Sequence, residues 1–120
     1  MSRMTLGEIK NLLNAMVLTS KDDLEVDVTC AYCADLMSDV LSFSVTSSLL
    51  ITGLTNKQVI RTAEVANIKA IIFIASKRPQ GEAIALASRK KIPLLVTKFS
   101  MFDACGRLYQ KGLRCEAEGG

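Results

Sequence analysis

Three groups of residues in this chain carry side chains whose type and spacing could do chemistry. The first is Thr52-Gly-Leu-Thr-Asn56, which follows an apolar run and precedes a helical pattern, together with Lys77-Arg78 on a later turn. Thr52, Gly53, Thr55 and Asn56 would sit at the carboxyl end of a strand, where the next helix presents free amides and the positive end of its dipole. With Lys77 and Arg78 on the adjacent turn, that rim could accept a phosphate or a carboxylate. The same residues also have structural roles open to them. Thr55 can be an N-cap with Gln58 completing a capping box, Gly53 can relieve a turn, and Lys77-Arg78 can be a solvated loop. The second group is Asp35 and Asp39, four residues apart and so on one helix face. Such a pair can contact a ligand, hold Mg²⁺ or do acid–base work, or it can simply favour a helix start. The third is Cys30-Ala-Tyr-Cys33 with Cys105 and Cys115. Four thiols match the number of ligands in a zinc or iron–sulfur site, and a C-x-x-C before a helix can be a redox dithiol. Only one C-x-x-C is present, however, and Asp35 opposes thiolate formation at Cys33. Cys105 falls on an apolar helix face, where a thiol behaves as a small hydrophobe.

The chain has no histidine. That removes Ser-His and Cys-His nucleophile systems and imidazole metal sites. There is no G-x-x-x-x-G-K-[ST] and no G-x-G-x-x-G. No catalytic residues, no metal and no cofactor are assigned, and the chain is expected not to be an enzyme. Net charge is +3, with Arg89-Lys90-Lys91 the only basic run and no tryptophan. A nucleic-acid-binding domain shows a stronger basic stripe and more stacking aromatics, so nucleic acid is not an expected partner. Met1–Lys10 is polar, unlike a signal peptide, and apolar runs such as Ala70–Ala75 are too short to span a bilayer. No membrane association is expected, and the cytoplasm, where cysteines stay reduced, is the expected location.

The elements that would position these residues follow one pattern. A length of 120 residues with 49% apolar residues fits a single domain with a real core. Thr5 and Glu8 form a capping box for a short helix lined by Leu6, Ile9, Leu12 and Leu13. Met16–Thr19 reads as a short strand, and Leu24, Val26 and Val28 alternate with acids as a half-buried strand at a sheet edge. From Ala34 to Val45 the period is helical, with Asp35 placed as its cap. Strands at Ser48–Thr52, Ala70–Ile74 and Pro93–Val96 then alternate with helices at Asn56–Ala66, Gln80–Lys90 and Ser100–Lys111. Asn67 and Gly112 close two of those helices. Ala70–Ile74, the most continuous apolar run, should be a central strand covered on both faces. The expected fold is therefore α/β: a single compact domain, mostly parallel sheet with helices on both faces.

The segments Ala34-Asp-Leu-Met-Ser-Asp-Val-Leu41, Thr52–Glu64, Ile92-Pro-Leu-Leu-Val-Thr97 and Met101–Tyr109 resemble the short stand-alone proteins of the DRTGG-domain family, over nearly the whole chain. Related domains accompany some phosphotransacetylases and CBS-domain pyrophosphatases, and by fold the N-terminal part of HPr kinases. The resemblance implies an accessory α/β domain at residues 1–115 with a flexible tail at 116–120. It implies a regulatory, self-associating role, and a link to anaerobic hydrogenase or energy metabolism. The namesake motif is not kept: Thr52–Asn56 stands where a D-R pair is expected, and Ala75-Ser-Lys-Arg-Pro79 stands where T-G-G is expected.

Together these readings lead to a homodimeric regulatory module that binds a small phosphorylated ligand. The assigned contacts are Asp35, Asp39, Thr52, Gly53, Thr55, Asn56, Lys77 and Arg78, and a protein partner in a redox or signalling complex is also expected. Self-association is further suggested by broad apolar helix faces that include Met37, Phe43, Met101 and Phe102. A thiol-based redox sensor or electron-transfer adjunct using Cys30 and Cys33 is the alternative.

Overall fold

A computed structural model describes residues 3–42 and 48–115. The apolar runs of the sequence pair in parallel because each is followed by a helix that must cross back over the sheet. Strands β4 (Cys30–Cys33), β5 (Ser48–Thr52), β6 (Ile68–Phe73) and β7 (Leu94–Val96) lie side by side in that order. β2 (Met16–Val17) adds to the far edge, antiparallel to β7. As expected, the Ala70–Ile74 run is central: β6 pairs with β5 on one side and β7 on the other. The fold is a single α/β domain with a mostly parallel five-stranded sheet.

Strand pleating splits the core into two layers. Leu50, Ile71, Phe73, Leu94 and Val96 point to one face. There α2 (Met37–Ser42), α3 (Lys57–Val65) and α4 (Gly81–Lys90) cover them with Val40, Val59, Ile60, Ala63, Leu86 and Ala87. Leu49, Ile51, Ala70, Ile72 and Leu95 point to the other. They meet Leu6, Ile9 and Leu13 of α1 (Leu6–Leu13) and Ala104 and Leu108 of α5 (Met101–Gln110). Each fully buried Leu, Ile or Phe contributes about 1.5–3 kcal/mol of transfer free energy.

Several local signals act as expected. Glu8 N donates to the Thr5 hydroxyl at 3.1 Å and Thr5 N donates to the Glu8 carboxylate at 2.9 Å, closing the capping box of α1. Ser100, expected as the first helical residue, instead caps α5, its hydroxyl accepting from Asp103 N. Asn67 takes a positive φ of 59° after α3, and Gly112 one of 111° after α5.

The sheet edge differs from the expectation. Leu24–Val28 is not an edge strand of the main sheet. Lys21–Glu25 is a 3₁₀ turn, because the Ser20 hydroxyl caps it and the Thr19 hydroxyl binds Asp23 at 2.7 Å. Only β3 (Asp27–Val28) remains extended, paired with β1 (Met4–Thr5) in a separate two-stranded sheet. The edge position belongs to β4, the C-x-x-C segment itself. Among the described residues the helix expected over Ala34–Val45 is Met37–Ser42, and Phe43 and Val45 lie outside them, as does the expected tail at 116–120.

Candidate functional site

All five residues of β5 are buried, so Thr52 arrives at the carboxyl end of the sheet with its hydroxyl in need of partners. It finds two. The Thr52 hydroxyl donates to Asp35 Oδ1 at 2.9 Å and accepts from Leu54 N at 3.2 Å. Gly53 N donates to the same Asp35 oxygen at 2.8 Å. Asp35 is thus the clasp of the β5 turn rather than the N-cap of α2, a correction to the local reading. Charge-assisted bonds to a buried hydroxyl and a backbone amide outweigh the gain from a cap.

Gly53 is not there for a left-handed backbone, since it is absent from the positive-φ residues. It leaves space. A Cβ at Gly53 would lie 3.5 Å from Lys77 Nζ and 3.7 Å from Asp35 Oδ1. The ammonium and the carboxylate therefore flank the same patch of bare backbone. Lys77 takes part in none of the ion pairs among the described residues, which join Arg3–Asp27, Lys57–Glu82 and Lys90–Glu64. Its direction is set by the turn after β6, where Lys77 N donates to Ile74 O at 3.0 Å. Ala75 and Ser76 at the centre of that turn both have positive φ, 54° and 58°. Two successive left-handed non-glycine residues are costly, and here the pair aims Lys77 back over Gly53.

The loop between β5 and α3 is tied down from the α4 side, where Gln80 N donates to Thr55 O at 3.2 Å. Thr55 is not the N-cap and the Thr55–Gln58 box does not form. Asn56 occupies the cap position with no side-chain hydrogen bond, and Val59 N donates to Asn56 O at 3.2 Å, so the amides of Lys57 and Gln58 at the foot of α3 have no capping side chain. Asp35, Thr52, Gly53 and Lys77 therefore meet at one rim, with Thr55 and Asn56 on the loop that leads from it into α3. The arrangement suits a ligand that presents an anion to Lys77 and the α3 amides and a donor to Asp35.

Arg78 lies elsewhere, and Asp39 is not among the residues bonded at the rim. The Arg78 guanidinium donates to Met16 Sδ at 3.4 Å, and it lines a cleft of about 200 Å³ with Asn14, Ser76 and Thr97 at the β2–β7 end. Asp39 projects from the first turn of α2, where its charge bears on Tyr32; desolvation first and that carboxylate second raise the Tyr32 hydroxyl above its ordinary pKa. The third strand end is structural. The Thr97 hydroxyl donates to Leu13 O at 2.7 Å and accepts from Phe99 N.

The cysteines separate by strand geometry. None of the four is in a disulfide. Residues three apart on a strand point to opposite faces, so Cys30 and Cys33 do not form the dithiol that their spacing suggested. Among the described residues no three His, Cys, Asp or Glu side chains are placed to hold a metal ion. A pairing invisible in the sequence takes their place: Cys33 hydrogen-bonds Cys105 of α5, and burial followed by that bond pushes the Cys105 thiol up to about 12. The one local hint was that Cys105 shares the inward stripe of α5.

Comparison with known proteins bears on the fold and the family. A model of the DRTGG domain matches residues 8–110. No curated protein matches the chain. Among solved structures, the CBS and DRTGG domains of the regulatory region of Clostridium perfringens pyrophosphatase, complexed with the activator diadenosine tetraphosphate, superpose with a TM-score of 0.73 at 17% identity. That match covers 97% of this chain and 52% of the other, so the chain spans about half the length of the region it resembles. No helix among the described residues is long and apolar enough to cross a membrane.

Proposed function

Because the chain belongs to the DRTGG domain family, we propose that it is a non-catalytic regulatory module that binds a small phosphate-bearing ligand at the rim of β5 and β6. One observation carries the reading: Lys77 Nζ and Asp35 Oδ1 flank the bare backbone of Gly53 at the foot of α3. A phosphate there meets the ammonium and the α3 amides, while Asp35 accepts from a hydroxyl or amino group of the same ligand. The likeness in fold to a regulatory region that binds a dinucleotide activator makes nucleotides the first class to test. Arg78 stands outside this reading, since its guanidinium donates to Met16 Sδ.

Self-association completes the proposal. Leu36, Leu41, Phe102 and Tyr109 are exposed, and apolar surface of that kind favours a homodimer. The module belongs in the cytoplasm, where cysteines stay reduced. The Cys30–Cys33 redox alternative is not kept, because the two thiols face opposite ways. Neither the fold nor the comparisons support a hydrogenase or anaerobic link, and the proposal does not include one.

A thermal-shift screen against nucleotides and phosphorylated metabolites tests the ligand. Selective binding at a hundredfold excess over Kd stabilises the native state by about 2.7 kcal/mol. Gly53→Ala meets only ordinary van der Waals contacts, so it should fold normally yet place a methyl between Lys77 and Asp35. It and Lys77→Ala should each weaken binding by about tenfold or more, ~1.4 kcal/mol. Dissociation constants beyond millimolar for every compound tried, or wild-type affinity in Lys77→Ala, overturn the assignment. Light scattering that finds only monomer at high micromolar concentration removes the dimer.

A further inference from the structure

We propose that Cys33 and Cys105 form a thiol pair that reacts with low-molecular-weight disulfides and closes to a reversible disulfide between the sheet edge and α5. This inference stands apart from the ligand rim. Cys33 is the last residue of β4, on the same pleat face as Ala31, which packs into the α1–α5 layer of the core. Cys105 lies on the inward stripe of α5 between Met101 and Leu108 and packs into the same layer. Both thiols line one cleft of about 220 Å³, which is walled by Ile51, Leu108 and Leu113. Two sulfur side chains from segments far apart in sequence thus share one small, largely apolar space.

The pair is asymmetric in a way that assigns an order of events. Cys33 is exposed and Cys105 half-buried. Burial and the hydrogen bond and charge of Cys33 hold the Cys105 proton, so Cys33 is the residue that meets a reagent first. The Cys33 thiolate attacks one sulfur of the small disulfide, whose S–S bond breaks and releases one small thiolate. Once Cys33 is capped, its charge and its hydrogen bond no longer hold the Cys105 proton. The Cys105 thiolate then attacks the Cys33 sulfur and expels the second small thiolate. Two protein thiols are oxidised and one small disulfide is reduced to two thiols, which take up the two protons that leave the protein.

The other thiols define the controls. Cys115 lines the same cleft at its outer end, whereas Cys30 is buried on the opposite face of β4. The cleft also holds Arg114, stacked 3.8 Å over the Tyr109 ring and bonded to Tyr109 O and Leu113 O. A cation in that position favours disulfides that carry carboxylates, such as glutathione disulfide.

Full-length protein, reduced and then incubated with glutathione disulfide, provides the test. The expected result is a fall from four titratable thiols to two. Peptide mapping should find a Cys33–Cys105 crosslink that dithiothreitol reverses. Cys30→Ser and Cys115→Ser should still form it, and Cys33→Ser and Cys105→Ser should not. A stable mixed disulfide at Cys33 with Cys105 still free would overturn the proposal, as would a crosslink mapped to Cys115. If Cys105→Ser fails to fold, mapping of the wild-type protein decides by itself.

Discussion

Replacing Asp35 by alanine removes the acceptor that holds the β5 turn, and the structure allows the cost to be worked out. Asp35 Oδ1 receives the Thr52 hydroxyl at 2.9 Å and Gly53 N at 2.8 Å. Hydrogen bonds to a charged group are worth about 1.5–3 kcal/mol each, and a buried donor left unsatisfied costs about 1–3 kcal/mol. Thr52 is fully buried, so its hydroxyl feels the full penalty, while Gly53 is half-buried and can turn to water. The sum for Asp35→Ala is a loss of about 2–4 kcal/mol in unfolding free energy, against about 1 kcal/mol for Asp35→Asn, which keeps an acceptor in place. Urea denaturation should show both as shifts in midpoint at constant slope. Thr52→Val combined with Asp35→Ala isolates the pair, and a coupling energy of about 1 kcal/mol or more is expected. Strict additivity in that cycle, or a loss under about 0.5 kcal/mol for Asp35→Ala, would show that the carboxylate does not clasp the turn.

Two further outcomes follow from the same structure. Ala75→Gly places glycine at a φ of 54°, relieving about 1–2 kcal/mol of left-handed strain against about 0.5–1 kcal/mol of added chain entropy. The urea midpoint should therefore rise, and a fall would mean that the turn is not strained. Stability should also drop as pH climbs from about 9 toward about 12, because native Cys105 keeps a proton that the unfolded chain releases. Cys30 is raised in the same direction, so the contribution of Cys105 is read as the difference between wild type and Cys105→Ala across that range. That difference should shrink with rising pH.

Much of the fold was legible because its central strands carry runs whose every residue is buried. Ser48–Thr52 and the four residues from Ala70 to Phe73 show no exposed position, so no other element could hold them. β4 was hidden by its own composition. Cys-Ala-Tyr-Cys reads as a chemical motif, and its extended form comes from pairing with β5, a partner that no local pattern announces. The geometry of the candidate rim was half legible for a related reason. Asp35, Thr52, Gly53 and Lys77 could each be picked out by type and position. That Asp35 abandons helix capping for the β5 turn depends on a contact across seventeen residues. Lys77 and Arg78 are neighbours in sequence with opposite destinations. Only the left-handed Ala75-Ser76 turn decides which of them reaches Gly53, and neither alanine nor serine signals positive φ.

The division of the core into two layers has a consequence for how the chain acquires its structure. The layer under α2, α3 and α4 is assembled by elements that follow one another along the chain. The opposite layer needs α1 and α5, which are separated by the entire run of parallel strands. Loop closure on that scale is slow compared with neighbour-to-neighbour docking. The contacts that cover Leu49, Ile51, Ile72 and Leu95 are therefore among those of longest sequence separation, and their closure is the step expected to slow folding. A crosslink from Cys33 to Cys105 would hold that last helix in place against reopening.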